Sequence, residues 1–144
     1  LRARTTCELA GLSANAQTEP NLAEWDYGDY EGLRTAEIRE SQPQWTLWED
    51  GCPRGEMPAD VGVRADQIIA RLHGLTGRVA LFSHGHFGRV LAARWIGLPV
   101  VQGQHFALDP ASIGILSFEV SHPERRVISL WNAREISVFH STPH

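Results

Sequence analysis

No lysine occurs in this 144-residue chain; all 13 of its basic residues are arginine. That excludes Schiff-base chemistry on a lysine and any phosphate loop built on one. Arginine is left as the only permanent cation for holding an anion. Cysteine is nearly as scarce. Cys7 and Cys52 stand far apart and form no Cys-x-x-Cys pair, so neither a zinc site nor a disulfide framework is indicated. Cys52, with no paired histidine or helix start beside it, reads as structural. Basic charge is short overall: the formal net charge of −4 argues against a general nucleic-acid surface. No apolar run is long enough to cross a membrane and no signal peptide opens the chain, so a cytoplasmic setting is expected. Methionine does not stand at position 1. Leu1 to Leu12 already reads as helix, with Leu9 and Leu12 as its apolar edge and no cap before it, so the true start is expected upstream.

What is present is organised around Arg78 to Leu98, RVALFSHGHFGRVLAARWIGL. Val79 to Phe82 has the length and composition of a buried parallel strand. A helix then carries Val90, Leu91, Arg94 and Trp95 and ends at Gly97-Leu98-Pro99. His84 therefore sits where a strand hands over to a helix, the place where open α/β sheets bind ligands. The free N–H groups of the helix start suit phosphate. A histidine there can be neutral or protonated near neutral pH. Gly85 lets backbone come close to a ligand, and Arg89 can reach back toward an anion. His86 and Arg89 also read as solvated helix residues.

Along the rest of the chain, Ala14 to Thr18 reads as an edge strand. Asn21 to Gly32, NLAEWDYGDYEG, packs four carboxylates and three aromatics between Glu24 and Glu31, and Gly28 and Gly32 break regular structure. Such a loop suits function on a rigid scaffold. A carboxylate beside Trp25 and Tyr27 suits proton donation if burial raises its pKa. The bland alternative is an acidic turn pinned by its aromatics. Thr35 is expected to cap a helix over 36–41, Trp45 to Trp48 to form an aromatic turn, and Asp50 to Glu56 to form a loop. Pro58 opens a helix whose Val61, Ala65, Ile68, Ile69, Leu72 and Leu75 share one face, and Gly74 and Gly77 stop it. Gln102 to Pro110, with His105, reads as loop. Ser112 to Val120 and Arg126 to Trp131 read as a hairpin, and Phe139 to His144 as a tail.

In this order the pieces resemble the histidine phosphatase superfamily, also called phosphoglycerate mutase-like, over Leu1 to about Asn132. SHGHFGR at Ser83–Arg89 resembles its second histidine motif, EWDYGDYEG at Glu24–Gly32 its acid-carrying loop, and LRARTT at Leu1–Thr6 the end of a Ser-Pro-Leu-x-Arg-Ala stretch. With WTLWEDGCPRGE, the wording is nearest the sedoheptulose-1,7-bisphosphatase-like branch. The resemblance implies an α/β fold, a mostly parallel sheet with helices on both faces, as a single domain over 1–144. It implies covalent catalysis through a phosphohistidine, with no metal and no cofactor. It further implies Arg2 and His84 as phosphate ligands with a backbone N–H from Gly85, and Glu24 as proton donor to the leaving alkoxide. Tyr27, Arg89 and Glu56 would meet the rest of the substrate. The partner implied is a small-molecule phosphate ester such as a sugar phosphate, with no nucleic acid and no membrane.

The family's Arg-His-Gly motif, which carries the nucleophile, is absent from these residues. On the family layout it would lie upstream of Leu1, in a strand-helix-strand unit. A phosphoglycerate mutase is the enzymatic rival. A phosphate-binding module without catalysis is the reading if Leu1 is the start. A metal hydrolase on His84 and His86 lacks further ligands at metal-binding spacing.

Overall fold

The computed structural model describes residues 1–134; the expected tail at 139–144 lies outside them. The centre is a pair of helices, α4 (Pro58–His73) and α5 (Gly85–Trp95). Pro58 takes the first turn of α4 as its fixed φ favours, and the Asp60 carboxylate accepts from the Met57 N–H at 2.9 Å. Val61, Gly62, Ala65, Ile68 and Ile69 are buried on one side of α4. Phe87, Val90, Leu91, Ala92, Ala93 and Trp95 are buried on α5. Arg94 on α5 and Asp66 on α4 join the two helices by two hydrogen bonds of 2.9 Å. Around them lie α1 (Arg2–Leu9), α2 (Thr35–Ser41) and the single turn α3 (Leu47–Asp50). Trp25, Ile38, Trp45, Leu47, Trp48 and Cys52 complete the core.

β1 (Ile113–Phe118) and β2 (Arg126–Ala133) pair antiparallel as the expected hairpin, with a bulged register near Ile115. It docks on the helices through Trp95, whose indole N–H is shared between Ser117 O (3.2 Å) and Val127 O (3.1 Å). The Phe118 ring packs edge-on against it at 5.3 Å.

Several expectations change. Val79 to Phe82 is not a paired strand, because no described strand runs beside it; Val79 and Leu81 remain 47% and 36% exposed. Ala14 to Thr18 has no ladder either. Among the described residues the sheet is thus the antiparallel hairpin alone. Helix α1 stops at Leu9, ahead of Gly11 with φ +72°, and its expected apolar edge is in solvent, Leu9 86% and Leu12 53% exposed; Cys7 is its buried residue. Helix α2 begins at Thr35 rather than after it. The Glu37 carboxylate caps it by accepting from the Arg34 N–H at 2.7 Å.

Candidate active site

The acid-carrying loop is fixed to the helix pair before any ligand is considered. Its backbone docks on the 50–56 loop: Asp29 N–H donates to Pro53 O and Glu56 N–H to Asp26 O, both at 2.9 Å. The approach is so close that a Cβ on Gly28, which also has φ +50°, would overlap Pro53 O and Gly55 N. Trp25 is buried and donates its indole N–H to Glu56 O at 2.9 Å.

This anchoring brings Glu24 onto the N-terminus of α5. His84 is the N-cap, with extended backbone (φ −134°, ψ 170°) and no side-chain cap bond. Its place as cap for the free N–H groups is taken by Glu24. Oε1 accepts from Phe87 N–H at 2.9 Å and from Trp25 N–H at 3.0 Å. Oε2 accepts from His86 N–H at a longer 3.3 Å. Oε2 is the less engaged oxygen, and a Cβ on Gly85 would stand 3.9 Å from it. Gly85 is exposed, so one side of this carboxylate stays open toward the helix start. Ser83 ties the approach to the helix by donating its hydroxyl to Leu22 O at 2.7 Å.

His84 lines a trough of about 940 Å³ together with Arg4, Cys7, Ala23, Arg78 and Phe82. Arg4 lies in this trough and donates to Thr18 Oγ1 at 2.9 Å. Arg2 is exposed, and among the described residues its guanidinium makes no hydrogen bond or ion pair. The structure therefore brings Glu24 onto the helix start formed by His84 and Gly85.

Tyr27 and His86 line a separate recess of about 490 Å³, with Trp48 and Gln104. The Tyr27 hydroxyl lies 2.7 Å from His86 Nδ1. Burial, with the Glu24 and Glu31 charges adding to it, raises the Tyr27 pKa above its ordinary value, so the hydroxyl keeps its proton and donates. Nδ1 then accepts, and the imidazole proton sits on Nε2. Burial lowers the His86 pKa, with the Arg89 charge acting the same way and Glu24 opposing.

Arg89 and Glu56 have internal partners. Arg89 lies over the Trp48 ring at 4.6 Å and donates to Gly103 O (3.1 Å) and Gln104 O (2.8 Å). Glu56 grips Arg64 through both oxygens, at 2.6 and 2.8 Å, and accepts from Asp26 N–H at 2.9 Å. The structural reading of Cys52 agrees with its 1% exposure and with burial pushing its thiol up to about 11. Arg64 was not singled out by sequence. Its signal was a charge between Val61 and Ile68 on the buried face of α4. Among the described residues no group of three or more His, Cys, Asp or Glu is placed to hold a metal ion.

The sequence profile of the histidine phosphatase superfamily (branch 1) matches residues 1–134. The chain belongs to that superfamily. Similar proteins include an acid phosphatase of Mycobacterium tuberculosis, 49% identical over 90% of this chain and 64% of its own length. A sedoheptulose 1,7-bisphosphatase of Saccharomyces cerevisiae is 36% identical over 69% of this chain and 46% of its own. The chain thus spans under two thirds of these relatives. Among solved structures, the product of a Mycobacterium tuberculosis open reading frame superposes with a TM-score of 0.83 at 46% identity, over 92% of this chain and 67% of that one. A mycobacterial glucosyl-3-phosphoglycerate phosphatase superposes with a TM-score of 0.72 at 28% identity, over 93% and 74%. These neighbours place the chain in the histidine phosphatase α/β fold, the class expected from its motifs.

Proposed function

We propose that the protein carrying this chain is a phosphatase that hydrolyses a small phosphate monoester, a sugar phosphate by preference, through a phosphohistidine. The observation that carries the reading is the Glu24 carboxylate seated on the first turn of α5 beside His84 and Gly85, with Oε2 the less engaged oxygen. Family membership supports the reaction class. The names of the two curated relatives, an acid phosphatase and a sugar bisphosphatase, support hydrolysis of a sugar ester.

In this reading a histidine supplied from upstream of residue 1 attacks phosphorus. The bond from phosphorus to the ester oxygen breaks, and the proton on Glu24 Oε2 passes to that oxygen, so the leaving group departs as an alcohol. Glu24, now a carboxylate, takes a proton from water, which attacks phosphorus and releases the histidine and inorganic phosphate. His84, the N–H of Gly85 and Arg2 hold the equatorial oxygens, where charge must be met. Tyr27 and Arg89 would shape the wall met by the rest of the substrate, and Glu56 would set the loop from beneath.

Phosphate release from a panel of sugar phosphates tests the reading, with Glu24→Gln alongside. The variant is expected to lose on the order of 10²–10⁴ in kcat/KM, which reports phosphoryl transfer to the histidine and not its later hydrolysis, on alkyl phosphates, whose alkoxide needs a proton. It should stay near wild type on p-nitrophenyl phosphate, whose phenolate leaves without one. No phosphate released by the wild type, or equal losses on both esters, would sink it.

A further inference from the structure

Arg64 lies on the inward face of α4, and only 16% of its side chain is exposed. A guanidinium so placed must satisfy its donors internally, because an unpaired buried cation is strongly unfavourable. Arg64 does so around one point. Its Nε and Nη2 meet the two oxygens of Glu56 at 2.6 and 2.8 Å. Its Nη1 donates to Asn21 O at 2.8 Å and to Ala23 O at 3.0 Å, and Nη2 also lies 3.4 Å from Glu24 O. Its guanidinium stands 4.8 Å from the centroid of the Phe87 ring. Phe87 is the residue whose N–H holds Glu24 Oε1. One side chain thus grips the backbone leading into Glu24 and packs on the helix turn that receives its carboxylate. Glu56 completes the grip beyond Glu24 by accepting from Asp26 N–H at 2.9 Å.

We propose that Arg64, braced by Glu56, is a positioning residue: it sets the Glu24 carboxylate against the first turn of α5 at the distance proton transfer to the leaving group requires. It touches no substrate and acts through Glu24, so the inference rests on the reading of Glu24 as proton donor. Removing the grip lets the loop shift against the helix. Proton transfer is sensitive to such shifts, since a displacement of roughly 1 Å can cost about a hundredfold. In kcat/KM, which excludes the later hydrolysis step that all esters share, the loss should therefore appear only where a proton must be delivered to the leaving group. Lysine keeps the charge but cannot reproduce a planar fork with five donors.

The experiment uses the full-length protein and two monoesters, p-nitrophenyl phosphate and glycerol phosphate. The readout is the ratio of their kcat/KM values, which report phosphoryl transfer to the histidine and from which any unfolded fraction cancels. Arg64→Lys is expected to lower kcat/KM on glycerol phosphate by about a hundredfold, with that on the aryl ester within about threefold. Arg64→Met should move the ratio further, and Glu56→Gln in the same direction by less. Arg94→Met, which removes a comparable two-pronged bond between α4 and α5, should leave the ratio at wild type. Equal losses on both esters in the Arg64 variants, or an unchanged ratio, would overturn the inference. If neither Arg64 variant folds, Glu56→Gln decides by the same ratio. Glu24→Gln in the same panel separates the two failures. If its ratio falls while those of Arg64 and Glu56 variants hold, the positioning role alone is lost. If its ratio holds, or the wild type releases no phosphate, the proton-donor reading falls and takes this inference with it.

Discussion

His86 shows how one buried ring can be read from its neighbours. Its Nδ1 accepts from the protonated Tyr27 hydroxyl, Trp48 packs against it edge-on at 5.7 Å, and burial holds its pKa below the ordinary value. In the unfolded chain the same ring takes a proton near pH 6.5. The folded state, which prefers the neutral ring, therefore has the full benefit of His86 above about pH 6.5, and loses it progressively as pH falls below that. His86→Gln retains an acceptor for Tyr27 and does not titrate. Thermal melts at about pH 5 and about pH 8 should show a larger acid-side loss of Tm in the wild type than in the variant. Equal losses would mean that His86 is already free to protonate in the fold.

The loops of this molecule are held by backbone contact as firmly as its helices are held by side chains. The acid-carrying loop and the 50–56 loop cross at Gly28 and Gly55, where an added Cβ meets main-chain atoms rather than yielding side chains. Gly28→Ala adds a backbone strained at φ +50° to that overlap. It should cost about 2–4 kcal/mol, read as a lower urea midpoint at unchanged slope. A milder effect is expected in α3, a single turn started by Thr46, whose Oγ1 accepts from Glu49 N–H at 3.2 Å. Thr46→Ala should cost about 1 kcal/mol in the same assay.

Helices and hairpin are joined chiefly through Trp95, 5% exposed, whose single N–H serves a carbonyl on each strand. Arg126 reinforces the joint by lying 5.3 Å over the indole and donating toward His73 Nε2 at 3.1 Å. Trp95→Phe keeps a ring but withdraws the donor from two carbonyls, a loss of about 1–2 kcal/mol. Hydrogen exchange should quicken across β1 and β2 while α4 keeps its protection. Uniform quickening would show instead that hairpin and helices unfold as one unit.

Helix α4 was legible from Pro58, its apolar face and Gly74, and α5 from the run after Gly85, because helix hydrogen bonds and helix faces are local in sequence. The hairpin was legible for a similar reason: its strands are near neighbours joined by a short turn. Glu24 and His84 were legible as chemistry, since a carboxylate among aromatics and a histidine at a helix start are recognisable types in recognisable places. Their meeting was not. The sequence separation of 62 between Glu24 and His86 is closed by Arg64, Glu56 and two backbone crossings, none of which is periodic along the chain. Arg89 and Glu56 read as free to meet a ligand because their charges were visible in sequence while their partners, Gly103, Gln104 and Arg64, were not. Local pattern determines which residues can do chemistry here; burial and long-range pairing decide which of them are already engaged, since a buried charge takes whatever partner the fold sets beside it.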